Sequence, residues 1–109
     1  MLNKEAEGSF EKGYQALEDN NWREATAFFE AALTLERRLS PKSPQARYRS
    51  YYGLCIGLAK KRHQDAIRMC QSAVQLERYN PDLHWNLGRV LYEAGRKREA
   101  YRVFLRGVK

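Results

Sequence analysis

The sequence predicts an all-α fold, and three observations lead to this prediction. Apolar residues recur at the three- and four-residue spacing of an amphipathic helix in six successive segments. No segment shows the apolar–polar alternation of a strand bounded by a tight Asn-Gly or Asp-Gly hairpin turn. Glycine and proline number only 7 and 3 among 109 residues, which is untypical of a turn-rich β protein.

The first two predicted helices are separated by turn-forming residues. The apolar stripe of the first helix consists of Phe10, Gly13, Tyr14 and Leu17. The run 19–21, Asp-Asn-Asn, interrupts this pattern, because asparagine tolerates the left-handed backbone conformation and its side chain caps helices. The stripe of the second helix consists of Ala25, Phe28, Phe29, Ala32, Leu35 and Leu39.

A serine–proline pair marks the predicted start of the third helix. Ser43 followed by Pro44 has the form of an N-cap with proline at the first helical position, so we expect the helix to begin there. Its apolar stripe consists of Tyr48, Tyr51, Tyr52, Cys55 and Leu58. A polar turn at 60–63 separates it from the fourth helix, whose stripe consists of Ala66, Ile67, Cys70, Ala73 and Val74.

The last two predicted helices follow a second capping arrangement. Asn80 and Pro81 give the fifth helix an N-cap and a proline in its first turn, and we expect the helix to stop near Gly95. The apolar stripe of the fifth helix consists of Leu83, Leu87, Val90 and Leu91. The sixth helix runs to the end of the sequence and carries Ala100, Val103, Phe104 and Val108.

Residues of similar type recur along these helices at an interval of 34. Pairs with this spacing include Ala66 and Ala100, Tyr51 and Trp85, Leu58 and Tyr92, and Ile67 and Tyr101. With Leu87-Gly88, Gly95 and Ala100-x3-Phe104, this period makes the chain resemble the tetratricopeptide repeat family. The resemblance implies one domain over 1–109, an α-solenoid or right-handed superhelix of three helix–turn–helix repeats at about 6–39, 44–79 and 81–109.

The three copies are not identical. Ala25 and Ala66 are 41 residues apart, and the seven extra residues equal about two helical turns, so we expect a longer second helix. In the second copy Gly53 and Gly57 bracket the position where the family has a small residue, which leaves the register open by one residue. No polar capping helix follows the third copy. Two explanations stay open: a chain truncated before its cap, or an end surface that pairs with another molecule.

Few residues of the sequence offer catalytic chemistry. His63 and His84 have no nucleophile or carboxylate partner at a recognisable spacing, and no phosphate-binding loop is present. Cys55 and Cys70, 15 residues apart, fit neither a disulfide framework nor a zinc site and are expected as buried thiols. We therefore expect no enzymatic activity, no cofactor and no metal. The longest apolar run, 53–59, is far below the ~20 residues of a membrane span, and without a signal segment we expect a cytoplasmic protein.

The resemblance also implies a peptide-binding groove lined by the first helix of each repeat. It assigns to this groove Glu7, Phe10, Tyr14 and Leu17 in the first copy, Tyr48, Tyr51, Tyr52 and Cys55 in the second, and Asp82, Trp85, Asn86, Arg89 and Tyr92 in the third. We expect a partner to contact Tyr14, Leu17, Tyr48, Tyr51, Trp85, Asn86, Arg89 and Tyr92, since aromatic side chains serve as binding hot spots. The alternative for the aromatic members is packing between helices. A role in protein–protein interaction or scaffolding follows from the resemblance.

Charge is distributed unevenly and supports two other functions. Residues 1–36 carry three basic and eight acidic residues, net −5, whereas residues 37–109 carry 17 and five, net +12. The basic residues at the turn within each of the last two repeats, which we call the basic rim, are Lys60, Lys61, Arg62, Arg96, Lys97 and Arg98. Binding of nucleic acid or of an anionic surface through this rim is an alternative function. The other explanation is that the rim charges only solvate the turns. The third hypothesis is a homodimer through the uncapped last helix.

Overall fold

The computed structural model describes residues 3–107, and within this range the chain is all-helical. Its helices are α1 Lys4–Glu18, α2 Trp22–Leu39, α3 Ala46–Leu58, α4 His63–Leu76, α5 Pro81–Glu93 and α6 Lys97–Gly107. No strand occurs among these residues, which confirms the predicted fold class. Val108, assigned to the sixth helix from its spacing, lies outside the described range.

Asparagine sets the predicted turn between α1 and α2 and the predicted start of α5. Asn20 adopts the left-handed conformation at φ 60°, and the Asn21 side chain accepts a hydrogen bond from the Glu24 amide at 3.2 Å. Asn80 accepts one from the Asp82 amide at 3.1 Å, with Pro81 in the first turn of α5. These contacts satisfy amide groups that have no partner inside the helix. Both predicted asparagine caps are therefore confirmed.

The predicted start of α3 is wrong by two residues. The N-cap is Gln45 rather than Ser43, and its side chain makes no capping hydrogen bond. Instead the buried carboxylate of Glu36, near the end of α2, accepts a hydrogen bond from the Gln45 amide at 2.7 Å. Burial raises the pKa of Glu36, and the bond from Gln45 partly offsets this rise. A side chain from the preceding helix thus takes the role that the sequence assigned to serine.

The helices pack as three consecutive hairpins, α1 with α2, α3 with α4 and α5 with α6, and α3 contacts helices of both other hairpins. Glycine allows the close approach within each hairpin. A Cβ atom on Gly13 would lie 2.7 Å from the Phe29 ring, and one on Gly88 would overlap Phe104. In the middle hairpin two glycines share this role, Gly53 against Cys70 and Gly57 against Ala66.

The extra residues between the first two copies lengthen α2, as predicted. It has 18 residues, whereas α4 has 14, and the connection from α2 to α3 takes up part of the remainder. Two large groups of buried side chains form most of the core, one containing Phe10 and Phe29 and the other Ile56 and Val90. A small third group consists of Ala46, Ala73 and Leu83. Tyr51 packs against both large groups and so joins the hairpins into one continuous core.

Cys55 and Cys70 are free and buried in this core, as expected for structural thiols. Burial raises the pKa of Cys55 to about 11 and that of Cys70 to about 12. Both thiols are therefore protonated at neutral pH and unreactive. No group of metal-binding side chains occurs within residues 3–107. Within the same range, no helix has the length and apolar character needed to cross a bilayer.

Candidate functional site

A cluster of aromatic side chains joins α1 to α3. The Phe10 ring lies 5.3 Å from the ring of Tyr48 and 5.7 Å from that of Tyr51, measured between centroids. Tyr14, one turn further along α1, meets Tyr51 edge to face at 5.5 Å. These contacts fix the rings relative to each other, because edge-to-face and tilted pairs are favoured arrangements of aromatic side chains. The result is a rigid aromatic floor.

A half-buried ion pair lies at one end of this floor. The Arg47 guanidinium donates to the Glu7 carboxylate at 2.6 Å, and the Tyr48 hydroxyl donates to the same oxygen at 2.8 Å. The guanidinium also lies 4.7 Å from the centre of the Phe10 ring, within the range of a cation–π contact. Burial, followed by the bond to Glu7, raises the pKa of the Tyr48 hydroxyl, so this group stays a donor.

The floor forms one side of a groove between α1, α3 and α5. The cavity in this groove has a volume of about 410 Å³, within the usual range for ligand sites. We call it the α1/α3/α5 groove. Its lining consists of Glu7, Phe10, Glu11, Tyr14, Gln15, Arg47, Tyr51, Asn80, Asp82 and Leu83. All three helices that the family resemblance assigns to a peptide groove therefore contribute to one cavity.

Tyr51 lies at the centre of this groove, and its hydroxyl is strongly held in the protonated form. Burial, then the neighbouring Tyr14 and the charge of Asp82, raise the pKa of Tyr51 to about 12, while a bond from Asn86 acts in the opposite direction. At neutral pH the Tyr51 hydroxyl is therefore uncharged, and as a phenol it can donate or accept a hydrogen bond.

Four of the residues assigned to the groove are buried, which corrects the sequence interpretation. Phe10 and Cys55 belong to the core around Phe29, and of the four buried residues Phe10 alone also borders the cavity. Tyr48 is 1% exposed because Phe10 and Glu7 cover it. Asn86 is 3% exposed and donates to the Ser50 hydroxyl at 2.9 Å, so it joins α5 to α3. These side chains face neighbouring helices rather than solvent.

The other predicted groove residues divide between the groove and its surroundings. Tyr14 and Tyr51 line the cavity, as do Glu7 and Asp82. Leu17 is half-buried and packs against both large core groups, and the partly buried Tyr52 donates to Glu30 at 3.3 Å. Three residues on α5 lie outside the cavity lining: the exposed Trp85 and Tyr92 and the half-buried Arg89.

The sequence interpretation found two polar members of the groove, Glu7 and Asp82, but missed others. Glu11, Gln15 and Arg47 were not assigned to the groove. Glu11 follows Glu7 by four residues and precedes Tyr14 by three, a spacing that places all three on one face of α1. This signal was present in the sequence. The pairing of Glu7 with Arg47 joins residues 40 apart in the chain, so no local pattern could reveal it.

Three of the six basic-rim residues contact a side chain that is close to them in the sequence. Arg62 binds Asp65 at 2.8 Å and Arg96 binds Glu99 at 2.6 Å, and these bonds lower the pKa of each carboxyl group. The Lys97 ammonium lies 5.2 Å from the centre of the Tyr92 ring. The other three, Lys60, Lys61 and Arg98, are exposed. Contacts within the same turns favour the explanation that these charges solvate and stabilise the turns.

The three packed hairpins define a protein built from helical repeats. A comparison with protein-family models agrees with this class, since residues 57–109 match the model described as Tetratricopeptide repeat. This segment, the end of α3 and all of α4 to α6, belongs to the tetratricopeptide repeat family, which confirms the resemblance found in the sequence. A search of curated proteins gives no match to the chain. Tetratricopeptide repeats generally mediate protein–protein interaction and are typically non-catalytic scaffold modules.

Proposed function

We propose that the chain binds an extended segment of a partner protein in the α1/α3/α5 groove. The observation that carries this proposal is the cavity of about 410 Å³, whose lining combines the rings of Tyr14 and Tyr51 with polar side chains from three helices. Ligand sites of proteins combine apolar surface with convergent polar groups. This groove has both, and its polar and charged side chains are the more numerous.

Preorganisation of the aromatic floor supports the proposal. Tyr14 is 41% exposed, yet its ring is held edge to face against Tyr51, which in turn contacts Phe10. A ring that is already ordered loses little conformational entropy when a partner covers it. The protonated Tyr51 hydroxyl supplies a donor for a carbonyl oxygen of the bound segment. Tyr14 is therefore the residue at which binding is best tested.

The test uses random peptides displayed on phage and selected on the immobilised, full-length chain. The affinity of the enriched peptides is then measured by isothermal titration calorimetry with the wild type, Tyr14→Ala and Tyr101→Ala. Tyr101 is a suitable control because it is an exposed aromatic residue on α6 outside the groove lining. We expect Tyr14→Ala to weaken binding about tenfold or more, and Tyr101→Ala to leave it unchanged. Enriched peptides that bind Tyr14→Ala as tightly as the wild type would refute the proposal.

A further inference from the structure

The charge of the α1/α3/α5 groove is opposite to that of the whole chain. Its lining contains the carboxylates of Glu7, Glu11 and Asp82 and the single guanidinium of Arg47, a formal charge of −2 from three acids and one base. The chain as a whole carries +7. The groove therefore attracts a positively charged partner segment, whereas the remaining surface attracts a negatively charged one.

Arg47 shows how one end of the groove accommodates a cation. Its guanidinium lies over the Phe10 ring at 4.7 Å and donates to the Glu7 carboxylate at 2.6 Å. The carboxylate is oriented by the Tyr48 hydroxyl, which donates to it at 2.8 Å. An aromatic face, a carboxylate and a tyrosine hydroxyl together hold the positive charge.

The other end of the groove contains the same kinds of groups without a cation. Tyr14 and Tyr51 supply the aromatic rings, and Glu11 on α1 and Asp82 on α5 supply two carboxylates from different helices. Neither carboxylate forms an ion pair with any residue in the range 3–107. Asp82 and Tyr51 line the same cavity, so the carboxylate and the ring share one local environment.

We infer that this end of the groove binds the side chain of an arginine or lysine in the partner segment, with Glu11 and Asp82 pairing its charge and Tyr14 and Tyr51 contacting its stem. The inference rests on the proposed function and specifies its ligand. A neutral side chain would cover the two carboxylates without compensating them, which is unfavourable. An acidic side chain would be repelled. A basic side chain gains both ion pairing and a cation–π contact.

The experiment compares synthetic heptapeptide pools that differ only at the central residue. The fixed residue is arginine, lysine, citrulline, norleucine or glutamate, and citrulline matches arginine in shape without its charge. Binding of fluorescent pools to the full chain is measured by anisotropy at about 0.15 M salt, where the long-range repulsion from the basic surface is screened. We expect the arginine and lysine pools to bind about tenfold more tightly than the citrulline and norleucine pools.

Two double variants test whether the preference originates in this part of the groove. In Glu11→Gln/Asp82→Asn we expect the preference for arginine over citrulline to fall to about one. The matched control is Glu5→Gln/Glu93→Gln, which removes the same charge from exposed positions on the same two helices outside the cavity lining. This control should keep the preference. Persistence of the preference in Glu11→Gln/Asp82→Asn would overturn the assignment.

The remaining outcomes separate the inference from the proposed function. Pools that bind equally well, and whose binding is lost on Tyr14→Ala, would refute cation recognition and leave the peptide groove supported. Absence of binding by every pool would refute both. Inhibition by free N-acetylarginine amide as strong as that by the arginine pool would show recognition of an isolated cation rather than of a protein segment, and would overturn the inference.

Discussion

The Trp85 ring stacks on Phe104 at a centroid distance of 4.9 Å and an interplanar angle of 43°. Phe10 adopts nearly the same arrangement on Phe29 in the first hairpin, at 5.4 Å and 42°, and in both pairs the two residues are 19 positions apart. The first-helix ring of each hairpin therefore rests on the large ring of the second helix. The two pairs differ only in what lies on their outer side.

The third hairpin lacks the cover that the first one has. Tyr48 and Tyr51 from α3 lie over Phe10 and reduce its exposure to 5%. No residue in the range 3–107 covers Trp85 in this way, and it is 57% exposed. Equivalent positions in the repeat therefore differ in environment, since burial depends on the neighbouring hairpin as well as on the residue.

This difference predicts unequal costs for the same truncation. Phe10→Ala should lower the free energy of unfolding by about 3–5 kcal/mol, because it removes a buried ring and leaves a cavity among three others. Trp85→Ala should lower it by only about 1 kcal/mol, because the ring is half exposed and no enclosed cavity forms. Urea unfolding followed by circular dichroism measures both values. Equal losses in the two variants would contradict the difference in burial between the two rings.

Whether a feature could be predicted from the sequence depends on how far apart in the chain the interacting residues lie. All six helices could be predicted, because their apolar periodicity and their asparagine caps at Asn21 and Asn80 depend on neighbours within a few residues. The start of α3 could not, because its first amide is bound by Glu36, which lies nine residues earlier on another helix. A contact between two helices, rather than a local sequence pattern, therefore determines where α3 begins.

The candidate site was predictable only in outline for the same reason. The family resemblance assigned Tyr14 and Tyr51 to a groove, and both line the cavity. It could not distinguish them from Tyr48, because the three tyrosines differ only in which neighbouring side chain covers them. Trp85 was assigned to the groove by its position in the repeat. It contacts Phe104 of α6 and lies outside the cavity lining, although Phe10 at the equivalent position borders the cavity.

Two glycines on first helices should respond in opposite ways to the same substitution. Gly88→Ala should lower the free energy of unfolding by about 1–3 kcal/mol, because the added Cβ would overlap the Phe104 ring. Gly8→Ala should raise it by about 0.5–1 kcal/mol, because no atom lies within 4 Å of the added Cβ and alanine favours the helix. Thermal unfolding of both variants under identical conditions measures the difference. A stabilised Gly88→Ala would show that α5 and α6 are further apart than described.

Glu36 rather than Ser43 should determine the stability of the start of α3. Glu36→Ala removes the acceptor of the Gln45 amide and should lower the free energy of unfolding by about 1–3 kcal/mol. Ser43→Ala should change it by less than about 0.5 kcal/mol, because no side-chain capping bond forms at this end of α3. Amide hydrogen exchange provides a local measurement, since Gln45 should lose protection only in Glu36→Ala. Faster exchange of the Gln45 amide in Ser43→Ala would instead indicate that Ser43 caps α3.

Stability should fall at alkaline pH because the core contains groups whose pKa is raised by burial. The pKa of Cys55 is raised to about 11, and those of Tyr51 and Cys70 are raised to about 12. In the unfolded chain these groups ionise at their ordinary values of 9.0 for the thiols and 10.0 for the tyrosine. The unfolded state therefore loses protons first, and the free energy of unfolding should decrease as the pH rises from about 9 to about 12.

Tyr51 provides a variant that isolates one part of this pH dependence. Tyr51→Phe keeps the ring contacts with Phe10 and Tyr14 but removes the hydroxyl, so the decrease above pH 10 should become smaller by on the order of 2 kcal/mol. Tyr79→Phe is the matched control, because Tyr79 is 95% exposed and should leave the profile unchanged. Urea unfolding at a series of pH values measures all three profiles. If Tyr51→Phe and wild type decline in parallel, the Tyr51 hydroxyl is not held protonated by the groove.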